Sequence, residues 1–86
     1  MNAQPTQINL LNHHAAKRLR QLREQLRLSR PKFAALLGIP PTTLKNYELG
    51  YREIGGGLFL LIANHSELKR HVDWLLTGIA TPEVQA

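Results

Sequence analysis

The residues with the clearest chemical potential in this sequence are basic. Residues 17–32 contain seven lysines and arginines and a single acid, Glu24. The rest of the chain is close to neutral, because the formal net charge of the whole chain is +5. A concentrated basic block suits a polyanion such as nucleic acid or an acidic membrane surface, whereas a solvated helix face usually mixes both signs. We therefore expect a polyanionic partner.

Residues that would support catalysis or metal binding are not spaced for it. The four histidines are accompanied by no HExxH motif and no carboxylate pair. The glycine-rich stretch of residues 50–57 is not followed by Gly-Lys-Ser/Thr, so it does not match a phosphate-binding P-loop. Cysteine is absent, which excludes disulfides and thiolate zinc sites. We expect no enzymatic activity, no metal and no cofactor.

The size of the chain sets the scale of its fold. Its 86 residues are enough for one small domain, and the thin core of such a domain favours a stabilising partner subunit. The longest apolar run, residues 58–63, is far shorter than the roughly 20 residues that span a bilayer. The N-terminus lacks the basic and apolar regions of a signal peptide. We expect a cytoplasmic protein.

Hydrophobic spacing divides the chain into about five short helices, so we predict an all-α fold, a compact bundle. The first helix is predicted to begin at an N-cap, Asn12, and to end near Arg27. The second is predicted to begin at Ser29, another N-cap, and to end at Gly38, a residue able to adopt positive φ.

The later helices follow from the same spacing. The third is predicted over residues 41–48, with Leu44 and Tyr47 directed inward. Residues 58–64 are nearly all apolar, so we expect a buried fourth helix. The fifth is predicted to follow an N-cap at Ser66 and to end at Gly78. Its buried face is predicted to comprise Leu68, Val72, Leu75 and Leu76.

Two adjacent prolines separate the second and third helices. Pro40 blocks any continuation of the second helix, and Pro41 fits the first turn of the third, where no backbone N–H is required. A helix-turn-helix needs a small residue where its helices cross, glycine at the turn and apolar residues on the inner face of its second helix. Ala34, Gly38 and Leu44 supply these features, so the segment predicts a helix-turn-helix.

This pattern resembles the Cro/lambda-repressor-like helix-turn-helix domains of phage and bacterial regulators. The resemblance is carried by LRQLREQLRLSRPKFAALLGIPPTTLKNYELG and by the later VDWLLTG, and it covers residues 19–78. The chain departs from the family at the two prolines, where glutamine, serine or threonine is frequent, and at Tyr47, where tryptophan or leucine is common. We divide it into a flexible arm, residues 1–11, a helix-turn-helix domain, residues 12–78, and a C-terminal tail, residues 79–86.

The resemblance implies a symmetric dimer that places the third helix in the major groove of double-stranded DNA. The residues that it implies for base contact are Pro41, Thr42, Lys45 and Asn46. Side-chain chemistry agrees for the last three, because asparagine pairs with adenine, lysine reaches guanine, and threonine offers a hydroxyl and a methyl group. The alternative is a solvated helix face. The residues that the resemblance implies for phosphate contact are Arg30, Lys32, Thr43, Tyr51 and Arg52.

Two further assignments concern structure rather than DNA contact, and the resemblance supplies the first. It implies an ion pair between Arg23 and Glu48 that links the first helix to the third, and the alternative is two unrelated surface charges. Trp74 lies off the predicted buried face of the fifth helix, so we assign it either to core packing or to a dimer interface. Further interface candidates are Ile79 and the arm residues Ile8, Leu10 and Leu11.

Two functions from different classes remain open. The first is a sequence-specific transcriptional regulator, a repressor that binds a palindromic operator as a homodimer. The second is an antitoxin that binds a toxin protein as well as its own operator, because IANHSELKRHV resembles the LLxLIxxHPEL segment of antitoxin-type members. RNA binding is a weaker rival, since no aromatic platform for stacking unpaired bases is evident.

Overall fold

A computed structural model describes residues 6–79, which form five α-helices and one short 3-10 helix, with no strand in that range. The predicted all-α class with about five helices is confirmed. The helices are α1 (Gln7–Gln25), α2 (Arg30–Leu37), α3 (Pro41–Glu48), α4 (Gly56–Ala63) and α5 (Val72–Thr77), and the 3-10 helix is Lys69–His71.

The predicted start of α1 at Asn12 is wrong, because the helix begins at Gln7. Thr6 is the N-cap, and its hydroxyl oxygen accepts a hydrogen bond from the N–H of Asn9 at 3.1 Å. Residues 7–11 contain neither glycine nor proline, so nothing stops the helix from extending this far. Of the predicted arm, residues 1–5 lie outside the described part of the chain. The side chain of Asn12 instead accepts a hydrogen bond from the N–H of Ile54 at 2.8 Å.

The turn between α2 and α3 is short and has the geometry that its sequence predicts. Ser29 is the N-cap of α2, and its hydroxyl accepts a hydrogen bond from the N–H of Lys32 at 3.3 Å. Gly38 ends α2 with a φ of 74°, in the left-handed region that favours glycine. Pro40 has extended backbone angles as the N-cap of α3, and Pro41 is the first residue of that helix.

The prediction of a buried fourth helix is wrong. Only Leu58 and Ile62 are buried in α4, whereas Leu60 and Leu61 are 66% and 45% exposed. The helix packs on α2, α5 and the 3-10 helix, so one of its faces contacts the core and the other remains at the surface. The apolar composition of α4 therefore predicts more burial than the helix has.

The predicted start of the fifth helix after Ser66 is also wrong. Residues 66–68 form turns, the 3-10 helix follows, and α5 begins only at Val72 and ends at Gly78. A 3-10 helix has 3.0 residues per turn rather than 3.6, so regular α-helical spacing does not extend through residues 69–71. Leu68 and Leu75 are buried as predicted and Val72 is half-buried, but Leu76 is 49% exposed.

The core lies between α1 and the other helices. α1 packs on both α3 and α5, and α2 packs on α3. This arrangement covers the inner side of α3 and leaves its outer side uncovered. The largest fully buried side chains are Phe33, Leu19, Leu22, Leu44, Ile62 and Leu75. Within residues 6–79, no helix has the length and apolar character that crossing a membrane would require.

Candidate nucleic-acid interface

The outer face of α3 carries the four residues that the family resemblance implies for base contact. Pro41, Thr42 and Lys45 are exposed, and Asn46 is half-buried. The opposite face holds Leu44, which is fully buried, beneath this polar surface. Positions three and four apart share one side of a helix, so these side chains form one surface. The prolines at the start of α3 leave its first turn without a side-chain cap.

A buried carboxylate fixes the last turn of α3 to the helices beneath it. The side chain of Glu48 is completely buried, and its Oε2 atom lies 2.7 Å from Nε of Arg23 in α1. The Nη2 group of Arg23 donates a second hydrogen bond to Oε1 at 3.1 Å. The structure thus brings together the two residues expected to pair. The hydrogen bond to Glu48 raises the pKa of Arg23, although burial acts in the opposite direction.

Arg30 completes this cluster, and the sequence pattern does not predict its contact with Glu48. Its Nε atom lies 2.9 Å from Oε1 of Glu48, so α1, α2 and α3 meet at one carboxylate. Burial of an ion costs several kcal/mol unless partners compensate it, and two arginines compensate Glu48 here. No sequence spacing relates Arg30 to Glu48, because the two residues are on different helices. Arg30, which the resemblance implies for phosphate contact, therefore also links α2 to α3 within the fold.

The turn after α3 holds two other residues expected at phosphate. The carbonyl oxygen of Asn46 accepts hydrogen bonds from the backbone N–H groups of Tyr51 at 2.9 Å and Arg52 at 3.3 Å. The side chain of Tyr51 is 75% exposed. The guanidinium of Arg52 lies 5.5 Å from the ring centre of Tyr47, within range of a cation–π contact. The backbone of the turn is thus fixed directly to α3.

The other residues expected at phosphate are on the first turns of α2 and α3. Lys32 is exposed, and Thr43 is half-buried. No hydrogen bond or ion pair among residues 6–79 engages either side chain. The start of α2 and the outer face of α3 therefore both present polar groups to solvent.

The basic block of residues 17–32 does not form a single charged face. Four of its seven cations are engaged within the fold, namely Arg18, Arg20, Arg23 and Arg30. Arg18, for example, donates from Nε to the carbonyl oxygen of Leu75 at 3.0 Å. The remaining three are exposed, and no hydrogen bond or ion pair in the described range engages their side chains: Lys17, Arg27 and Lys32.

The two dimer candidates lie near the end of the described chain. Trp74 is half-buried and packs against the core, and Ile79 is 70% exposed. The other apolar candidates, Ile8, Leu10 and Leu11, are 60%, 46% and 50% exposed on α1. Exposed apolar side chains at both ends of the described chain are compatible with contact to a second subunit.

Comparison with known proteins identifies this arrangement. A family model described as helix-turn-helix, of the Cro/C1 type, matches residues 19–65, which is slightly more than half of the chain. The match includes α2, the turn, α3 and α4, and it ends before the VDWLLTG segment. No curated protein and no solved structure matches the chain significantly.

Proposed function

The chain belongs to the Cro/C1-type helix-turn-helix family of DNA-binding regulators, and from this premise we propose that it is a sequence-specific transcriptional repressor. It binds a palindromic operator as a homodimer and blocks access to a promoter. The proposal needs no cofactor, and it places the chain in the cytoplasm with its DNA.

The exposed polar face of α3 is the observation that supports this proposal most strongly. Thr42, Lys45 and Asn46 carry the groups that read base edges in the major groove, and Pro41 offers only apolar contact, as with a thymine methyl. A reading helix must be held rigidly if wrong bases are to be rejected. The buried cluster at Glu48 supplies that rigidity, because it fixes α3 to both α1 and α2.

The phosphate contacts are assigned around this helix. Lys32, Thr43, Tyr51 and Arg52 flank α3 and position it on the duplex without reading sequence. Arg30 joins them through its terminal amino groups, because only its Nε atom is bonded to Glu48. Its role at DNA is thus coupled to its role in the fold.

Selection of binding sites from random duplex DNA tests the proposal. The full chain should enrich a palindrome whose half-site centres are about one helical turn, roughly 34 Å, apart. Affinity should fall steeply with salt, by about 0.9 in log K per unit of log salt for each phosphate neutralised. An unenriched pool, together with affinity that is insensitive to salt, would contradict it.

A second candidate function is that of an antitoxin, which binds a toxin protein and regulates its own operon. The exposed leucines of α4, Leu60 and Leu61, favour this candidate, because apolar surface of this kind suits a protein partner. Co-purification of the chain with the product of a neighbouring gene would support it. Recovery of the homodimer alone would count against it.

A further inference from the structure

Arg27 has a backbone conformation that arginine rarely adopts. Its φ is 58°, and it is the only residue other than glycine with positive φ among residues 6–79. L-residues resist this left-handed region, because Cβ then approaches the following carbonyl oxygen. The glycines with positive φ in the same range are Gly38, Gly50 and Gly78.

The hydrogen bonds at the end of α1 require this conformation. The N–H of Arg27 donates to the carbonyl oxygen of Glu24 at 3.0 Å, and the N–H of Leu28 donates to that of Arg23 at 3.2 Å. This pair of bonds is a Schellman motif, whose left-handed position is usually glycine. Glycine at position 27 would complete the same motif without strain.

The side chain of Arg27 makes no polar contact that would compensate the fold for this strain. It is exposed, and no hydrogen bond or ion pair among the described residues engages it. The carboxylate three residues earlier, Glu24, is paired with Arg20 at 3.1 Å. No acid in the described part of the chain is paired with Arg27. The left-handed backbone thus disfavours arginine here without a compensating polar contact.

Arg27 is nevertheless well placed to bind a polyanion. It lies two residues before Ser29, the N-cap of α2, whose first turn carries Arg30 and Lys32. The neighbouring carbonyl oxygen of Leu28 accepts a hydrogen bond from Nη1 of Arg23 at 3.0 Å. Because Arg23 also holds Glu48, the turn that carries Arg27 is connected to α3.

We propose that Arg27 is a phosphate anchor, which contacts the backbone of duplex DNA beside the bases that α3 reads. Its charge serves binding, at a position where the backbone conformation weakens the fold. The inference rests on the proposed function, since it requires that the chain binds DNA. It adds a contact at the turn between α1 and α2 to those already proposed.

Three variants of the full chain separate charge from strain: Arg27→Gly, Arg27→Asn and Arg27→Lys. The probe is a labelled random-sequence duplex of about 30 base pairs, or three helical turns, because a phosphate contact acts on any sequence. Affinity is measured by fluorescence anisotropy over a range of salt concentrations, and the melting temperature is measured for each variant without DNA.

We expect Arg27→Gly and Arg27→Asn to raise the melting temperature by a few degrees, because both residues tolerate the left-handed conformation. For each subunit that contacts the duplex, both should weaken binding about eightfold at 0.1 M salt and lower the salt slope by about 0.9. Arg27→Lys keeps the charge and should keep the slope.

Unchanged affinity and slope in Arg27→Gly, beside salt-dependent binding by the unaltered chain, would overturn the role of Arg27 but leave the proposed function intact. A lower melting temperature in both neutral variants would assign Arg27 to the fold and overturn the inference too. Failure of the unaltered chain to bind any duplex would instead overturn the proposed function.

Discussion

The Nε atom of Arg23 in α1 lies 2.7 Å from Oε2 of Glu48 in α3, and the carboxylate is completely buried. This contact, joined by Arg30, fixes the orientation of the helix proposed to read DNA. A buried ion with two charged partners is costly to disrupt, because the remaining charges lose their compensation.

Glu48→Ala should destabilise the fold by about 3 kcal/mol, because it leaves two arginines without their shared carboxylate. Glu48→Gln keeps the shape and should cost less, about 1.5–3 kcal/mol, through loss of charged hydrogen bonds. Urea unfolding measures both. A double-mutant cycle with Arg23→Ala supplies the pairwise term, and a coupling energy near zero would show that the pair does not stabilise the protein.

Asn46→Ala and Lys32→Ala should differ in their effects on DNA binding. Loss of a base contact at Asn46 should reduce the preference for the selected operator over random DNA by about 1–3 kcal/mol. Loss of a phosphate contact at Lys32 should weaken binding to both DNAs alike and lower the salt slope by about 0.9 for each subunit bound. Titrations with both duplexes provide the comparison. Identical behaviour of the two variants would contradict the division between reading and positioning residues.

Ile79→Glu should dissociate the proposed homodimer, because it places a charge in the apolar surface assigned to the interface. The side chain is 70% exposed, so the fold of one subunit should be unaffected. Leu60→Glu is the matched control, since Leu60 is 66% exposed but lies on α4. Sedimentation equilibrium should show monomers for Ile79→Glu and dimers for Leu60→Glu. If only Leu60→Glu dissociates the dimer, the interface lies on α4 instead. Trp74 is less suitable for this test, because it also packs against the core.

Two glycines should respond oppositely to alanine. A Cβ atom added at Gly56 or Gly38 meets no atom within 4 Å, so the two positions do not differ in available space. Gly56 begins α4, and Gly56→Ala should stabilise the fold by about 0.5–1 kcal/mol through a lower entropy of the unfolded chain. Gly38 has a φ of 74°, so Gly38→Ala should destabilise by about 1–2 kcal/mol. Thermal unfolding measures both, and equal shifts would contradict the assignment of strain.

Acid should weaken the fold through His71. Burial lowers the pKa of His71 from its ordinary value of 6.5, and the charge of Arg70 lowers it further. The unfolded chain therefore takes up this proton at higher pH than the folded chain. The contribution to stability is complete above pH 6.5 and is lost as the pH falls towards the lowered pKa. Between about pH 7 and about pH 5, His71→Gln should flatten the fall in unfolding free energy, and an unchanged slope would exclude His71 as its source.

The sequence by itself determined the local features of the helix-turn-helix. Ser29 caps α2, Gly38 ends it in the left-handed region, and Pro41 begins α3, because each residue type has a backbone preference that acts within one or two turns. The pairing of Arg23 with Glu48 was predicted from the resemblance to a family and not from local backbone preferences. The all-α class followed from hydrophobic spacing along the chain.

The tertiary structure alone decided which faces are covered. Leu60 and Leu61 are as apolar as Leu58, yet they are exposed, because only one side of α4 meets the other helices. Arg30 belongs to the Glu48 cluster because three helices converge there, and no spacing within one helix encodes that meeting. The basic block is one charged segment in the sequence, but in the folded chain four of its seven cations make internal contacts. Local preferences act over a few residues, whereas burial and ion pairing depend on which distant segments meet.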